Sequence, residues 1–271
     1  MSQRYFMRLA YNGAPFHGWQ SQPNAVSVQS TIEEGLSRIL GSDIRITGAG
    51  RTDTGVNARV MVAHFDVEKP LGEITMFLRS LNALTGRDIA IEGVWPVHSD
   101  AHARFDAVSR TYHYYTHSGK SPFLYTHSWQ EPPGLDFDGM NRCGSMLLDI
   151  DDFTSFAKLH SDNKTNLCRV TRAEWMDIGN GRHVFVISAD RFLRNMVRAV
   201  VGTLIDVGRG KMSETRFMKV VEAHDRCAAG TSMPPQPLFL WDVTYPYDYA
   251  GQYSAASDSM DTASGLIQDC I

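Results

Sequence analysis

Short strand-like runs alternate along this chain with stretches whose apolar positions recur at helical spacing. Arg4 to Tyr11 reads as a strand, followed by the turn-rich Asn12-Gly13-Ala14-Pro15 and then Phe16-His17-Gly18-Trp19-Gln20. Val28, Ile32, Leu36, Ile39 and Leu40 share one helical face, with Ser27 placed to cap the helix and Gly41 to end it. Ile44 to Thr47 and Met61 to Val67 are strand-like, Glu73 to Asn82 helix-like, and Ile89 to Val97 strand-like again, which completes a first α/β unit.

A second unit follows. Thr111 to His117 predicts a strand, Phe137 to Leu148 a helix, and Ala173 to Ile178 with His183 to Ala189 a hairpin joined through Gly179-Asn180-Gly181. The clearest helical period runs from Phe192 to Asp206. There Leu193, Met196, Val197, Val200, Val201, Leu204 and Ile205 trace one broad apolar face, and Arg194 and Arg198 project from another. Leu238 to Val243 closes the pattern as a strand. Strands come in adjacent pairs as well as alternating with helices, so the expected class is α+β, with a mixed or antiparallel sheet rather than a doubly wound parallel one. No residue-level repeat links the two units.

At 271 residues and 43% hydrophobic content, the chain can bury a core large enough for one large domain or two smaller ones. The Met1-Ser2-Gln3-Arg4-Tyr5 start has no apolar leader, and no apolar run approaches the ~20 residues that span a bilayer; a cytoplasmic protein without membrane attachment is expected. Cys143, Cys168, Cys227 and Cys270 are scattered without a C-x-x-C pair, which suggests neither a disulfide framework nor a zinc site. Asp258, Asp261 and Asp269 are the only charges after residue 251; without their −3, the net −4 falls to −1 for residues 1–251. On that nearly neutral body, Arg191, Arg194 and Arg198 form a local basic stripe that can meet phosphate or can simply be a solvated helix face. The Ser/Ala/Asp-rich stretch from Ser254 to Gly265 has the composition of a disordered tail.

The candidate chemistry lies in Gly48-Ala49-Gly50-Arg51-Thr52-Asp53-Thr54-Gly55-Val56-Asn57-Ala58. Its glycines allow sharp turns that bring Asp53 close to a ligand, and Arg51 adds a fixed charge and a planar fork suited to phosphate or a base face. A surface turn closed by an Asx-type bond would use the same residues. Asp53-Thr54-Gly55 also matches the tripeptide of aspartic proteases, but that chemistry needs two carboxylates sharing a proton, and the chain has no second such tripeptide. No phosphate-binding G-x-x-x-x-G-K loop and no G-x-G-x-x-G turn between strand and helix occurs, so the expected chemistry uses no cofactor and no metal.

Seven stretches in one order carry a more specific signal: Phe16-His17-Gly18-Trp19-Gln20-Ser21-Gln22, Gly48 to Val56, His102-Ala103-Arg104-Phe105-Asp106-Ala107, Arg110-Thr111-Tyr112-His113-Tyr114, Asp152-Phe153-Thr154-Ser155-Phe156, Phe192 to Arg198, and Leu238-Phe239-Leu240. With them the chain resembles the TruA-type tRNA pseudouridine synthases over roughly residues 4 to 247. The resemblance implies two α/β subdomains, residues 1–105 and 106–250, with mixed, mainly antiparallel sheets flanked by helices and meeting in a central RNA-binding cleft, and a tail over 251–271. It implies isomerisation of uridine to pseudouridine on the 3′ side of the anticodon in the tRNA anticodon stem-loop, by a homodimer in which one tRNA contacts both subunits. Asp53 corresponds to the nucleophilic aspartate, Tyr112 to the active-site tyrosine that packs on the uracil, and Arg198 to the arginine paired with the aspartate. Arg51 corresponds to the residue that fills the space of the flipped base, and Leu238 to the apolar residue beneath it. Arg104, Arg110, Arg191 and Arg194 are candidates for phosphate contacts; Trp19 fits a core position better than a stacking platform, and His17 and Gln20 can line the cleft. Two positions depart from the family: Asn57 stands where histidine is usual, and Thr54 where alanine is common. A non-catalytic tRNA-binding or tRNA-folding protein on the same scaffold is the alternative from another class.

Overall fold

The computed structural model describes residues 2–158 and 164–250, so the predicted tail over 251–271 lies outside the described residues. The first half of the chain supplies β1 (Gln3–Tyr11), α1 (Val28–Leu40), β2 (Thr47–Gly48), β3 (Asn57–Val67), α2 (Ile74–Thr85) and β4 (Ile89–Val97). The second supplies β5 (Ser109–Ser118), β6 (Trp129–Glu131), α3 (Phe137–Met146), β7 (Val170–Asp177), β8 (Arg182–Ala189), α4 (Met196–Gly208), α5 (Glu214–Glu222) and β9 (Leu238–Thr244). All nine strands form one sheet in the order β4-β1-β3-β9-β5-β8-β7, with β2 added to β3 and β6 to β5. Among the described residues, only β3–β9 and β5–β6 pair in parallel. The fold is therefore α+β, a mixed and mostly antiparallel sheet flanked by helices.

The pairing of β9 with β3 positions the site. Its parallel register is two residues long, Asn57 opposite Phe239 and Ala58 opposite Leu240. On its other side β9 runs antiparallel to β5, with Leu240 opposite Tyr112 and Leu238 opposite Tyr114. The two halves of the sheet thus join at the start of β3, just beyond Asp53. One continuous core holds both: Met7 and Leu9 of β1, Ile32 and Leu36 of α1, Phe185 and Ile187 of β8 and Val200 and Leu204 of α4 are all fully buried. A separate small apolar cluster of Tyr115, Val184 and Val186, edged by Phe239 and Trp241, includes no helix residue.

The local chemistry explains most boundaries. Ser27 caps α1 in a box with Ser30, each side chain accepting the other's backbone N–H, and Gly41 ends it in the left-handed region at φ 69°; such caps contribute about 1 kcal/mol. Several predicted bounds shift by a few residues, most of all β3, which begins at Asn57 rather than Met61, and three spans differ for reasons the structure shows. The helix expected from Phe192 begins only at Met196, because Asn195 sits at φ 66° and interrupts helical backbone. Ile44 to Ile46 lie outside the ladder, since the Ile44 and Ile46 N–H groups bond the Ser37 hydroxyl and the Glu33 carboxylate of α1 instead. The helix expected through Leu148 passes into a 3-10 turn over Leu147–Asp149. α5 and the short β6 were not anticipated, although Ser213 followed by Phe217, Val220 and Val221 is a capped apolar stripe.

Candidate active site

The loop carrying Asp53 is fixed from below by close backbone approach. A Cβ on Gly13 would lie 2.1 Å from the Val56 carbonyl oxygen, and one on Gly48 2.6 Å from the Trp19 ring, so both positions exclude any side chain. Trp19, only 3% exposed, is a core residue beneath the loop; its N–H donates to the Thr52 carbonyl over 3.2 Å. The Thr52 hydroxyl meets the buried Tyr11 hydroxyl at 2.8 Å, and Val56 N–H closes a turn on the Asp53 carbonyl at 3.1 Å. Asp53 is held on a braced shelf with its carboxylate 25% exposed.

Two cations from the opposite half face it. Arg194 Nε lies 3.5 Å from Asp53 Oδ1, and Arg198 Nη1 3.6 Å from Oδ2. Arg198 lies in the first turn of α4 and Arg194 in the non-helical segment just before it, on the far side of the positive-φ Asn195. Arg194 is 61% exposed and solvent-screened, whereas Arg198 is 20% exposed and its Nε donates to the Met233 carbonyl over 2.5 Å. Arg198 is therefore the better-fixed and stronger partner. Asp53 faces guanidinium groups, not a second carboxyl, so the proton-sharing pair of an aspartic protease is not formed. The ion pairs to Asp53 come from Arg194 and Arg198, and none among the described residues involves the exposed Arg51.

Tyr112 lies on β5 with its ring edge-on to Phe192, centroids 4.9 Å apart. Burial pushes its phenol well above the usual range; Arg110 opposes that rise and the Asp53 carboxylate adds to it. Tyr112, Arg110 and Asp53 therefore share one electrostatic neighbourhood. Tyr114, two residues on and on the same strand face, is fully buried, and its hydroxyl has no hydrogen-bond partner among the described residues. Leu238 is buried at the start of β9.

The remaining candidates divide. Arg104 and Arg191 make no ion pair among the described residues; Arg104 is exposed, its guanidinium 5.8 Å from the Phe105 ring centre. His17 and Gln20 are exposed. Arg110 is turned inward, its four terminal N–H groups bonding the carbonyls of Ala49, Arg104, Ala107 and Asp190. Asn57 is 2% exposed: its Oδ1 accepts from Gly13 N–H at 2.8 Å and its Nδ2 donates to the Gln236 carbonyl at 2.7 Å. The Asn57 side chain thus bridges the turn under the loop to the approach of β9. Sequence reasoning missed Arg194 as a partner of Asp53, because its placement follows from the positive φ at Asn195 and not from helical spacing to Arg198; no sequence signal marks the bond to the Met233 carbonyl. Among the described residues, no group of three His, Cys, Asp or Glu side chains is placed to hold a metal ion.

Comparison with known proteins assigns the chain to a family. The family model described as tRNA pseudouridine synthase matches residues 9–106 and 150–246, which include the Asp53 loop and the Arg194–Arg198 segment. The tRNA pseudouridine synthase A of Parabacteroides distasonis is 52% identical over 244 residues, covering 90% of this chain and 96% of its own length. That of Bacteroides thetaiotaomicron is 51% identical over 248 residues, covering 91% and 92%, and that of Exiguobacterium sibiricum 34% over 251 residues, covering 92% and 99%. A chain from a solved Cbf5-Nop10-Gar1 complex aligns with 74% of this chain and 54% of its own at 11% identity, but a TM-score of 0.30 is too low to bear on the fold. Matched along nearly its whole described length, the chain belongs to the tRNA pseudouridine synthases, an isomerase family, and within it to the TruA type.

Proposed function

We propose that this protein converts uridine to pseudouridine in the tRNA anticodon stem-loop, on the 3′ side of the anticodon, with Asp53 as the reacting carboxylate. The observation that carries the proposal is the placement of Asp53 between Arg198 and Arg194 with Tyr112 in the same field. In a surface that only bound RNA, a carboxylate would repel phosphate; held between two arginines, it is poised for chemistry instead.

The reaction breaks the bond from ribose C1′ to uracil N1 and makes one from C1′ to C5. Asp53 either attacks C1′ and later leaves, or assists removal of the C2′ proton, which returns to C2′ as C5 bonds to C1′. In both routes uracil departs with the electron pair of the broken bond, turns, and rejoins through C5, whose hydrogen is lost as a proton while N1 gains one. Burial keeps the Tyr112 phenol protonated, so it accepts the C5 proton only while passing its own on; its ring supplies a face for the uracil. Leu238 supports the base, Arg51 occupies the gap left in the RNA stack, and Arg104 and Arg191 meet phosphates, with Arg194 at the rim. The cleft lies between residues 1–105 and 106–250, and a homodimer presents two such clefts to tRNA.

The test is tritium release from tRNA labelled at uridine C5, without added cofactor, using transcripts in which the 3′-side anticodon stem-loop uridines are intact or replaced by cytidine. Release from the intact transcript and none from the replaced one is expected. Equal release from both would place the target elsewhere.

A further inference from the structure

We propose that Arg110 is a positioning residue: its guanidinium braces the Asp53 loop against the segment that delivers Arg194, and does not bind RNA phosphate. The inference rests on Asp53 as the reacting group. Arg110 Nη1 donates to the carbonyls of Ala107 at 2.7 Å and Asp190 at 2.8 Å, and Nη2 to those of Ala49 at 3.0 Å and Arg104 at 2.6 Å. Four of the five guanidinium N–H groups are thereby occupied, including every one at the tip of the fork that a phosphate would engage.

The four acceptors belong to three separate segments. Ala49 lies four residues before Asp53, Asp190 lies four residues before Arg194, and Arg104 and Ala107 lie in the link between β4 and β5. The two sides of the Asp53–Arg194 pair are thus tied to one rigid planar group. No carboxylate forms an ion pair with Arg110 among the described residues, and burial lowers its pKa. A half-buried cation with no ion-paired carboxylate, only the weaker pull of Asp190, is costly, and the set of carbonyl bonds offsets it. The arrangement is specific to a fork: lysine carries three donors on one atom and cannot reach carbonyls on opposite sides.

The test compares wild type, Arg110→Lys, Arg110→Ala and Asp53→Ala for single-turnover tritium release at saturating tRNA, for tRNA affinity across salt concentrations, and for rescue of Arg110→Ala by guanidinium ion. Both Arg110 variants should lose at least about thirtyfold in rate, keep tRNA Kd within about threefold, and leave the salt slope unchanged; guanidinium, but not ammonium, should restore part of the Arg110→Ala rate. Where the alanine variant does not fold, the lysine variant carries the rate and affinity test. Weaker binding with a salt slope smaller by about one and an unchanged saturated rate would make Arg110 a phosphate contact and overturn the proposal. Full rates in both Arg110 variants with an inactive Asp53→Ala would refute the brace while leaving the Asp53 site standing. An active Asp53→Ala would remove the site itself, and the brace with it.

Discussion

On the Asp53 side of the site, backbone and a tryptophan ring approach Gly13 and Gly48 so closely that no other residue fits; on the Arg198 side the helix backbone packs as closely, a Cβ on Gly202 lying 1.9 Å from the Thr231 carbonyl oxygen, but the guanidinium that meets Asp53 is itself fixed by a hydrogen bond to the Met233 carbonyl. Steric contact of the first kind is indifferent to salt and pH and fails with a single added methyl. Hydrogen-bonded positioning fails by degrees, one bond at a time, each to a charged group worth about 1.5 to 3 kcal/mol. The carboxylate is thus held on a shelf with no slack, and the cations are adjusted to it.

Substitutions can break that contrast. The largest effect should come from Gly13→Ala: its Cβ meets only backbone, so the Asp53 loop must move, and single-turnover release should fall more than about hundredfold. Arg198→Gln should cost about a hundredfold, the scale of removing one preorganised charge partner. Arg194→Gln, exposed and screened, should cost less than about tenfold. If Arg194→Gln proved the more damaging of the two arginine changes, the assignment of the stronger partner would be reversed.

The seam between the halves gives the smallest and most selective effect. Asn57 uses one acceptor and one donor, and a neutral histidine can offer the same pair, but a protonated one has no acceptor for Gly13 N–H. In Asn57→His the folded-state imidazole pKa should lie below its unfolded value of about 6.5, so its contribution is present above that pH and lost as pH falls through the folded value. The Tm deficit of the variant relative to wild type should therefore widen on acidification below about pH 6.5. A deficit constant from pH 8 to 5 would mean that Asn57 merely fills space.

Periodicity and turn chemistry made much of this molecule legible beforehand. β4 occupies the predicted Ile89–Val97, α1 starts and ends at its predicted caps, and Trp19 is core. What stayed hidden depended on tertiary partners. The apolar period from Phe192 carries no trace of the positive φ at Asn195, and Ile44 to Ile46 look like a strand because nothing local reveals that α1 side chains take their N–H groups. At the site, the loop and its carboxylate could be found from glycine spacing. That Arg194 would join Arg198 in facing Asp53, that Arg110 would turn inward and that Asn57 would bridge two backbones are facts about segments far apart in sequence.

The most direct measurement is tritium release from tRNA labelled at uridine C5, wild type against Asp53→Ala, with tRNA affinity measured in parallel. Release by the wild type alone, with affinity within about tenfold, ~1.4 kcal/mol, is the predicted result. Release by Asp53→Ala at the wild-type rate would contradict the assignment of Asp53 as the reacting carboxylate.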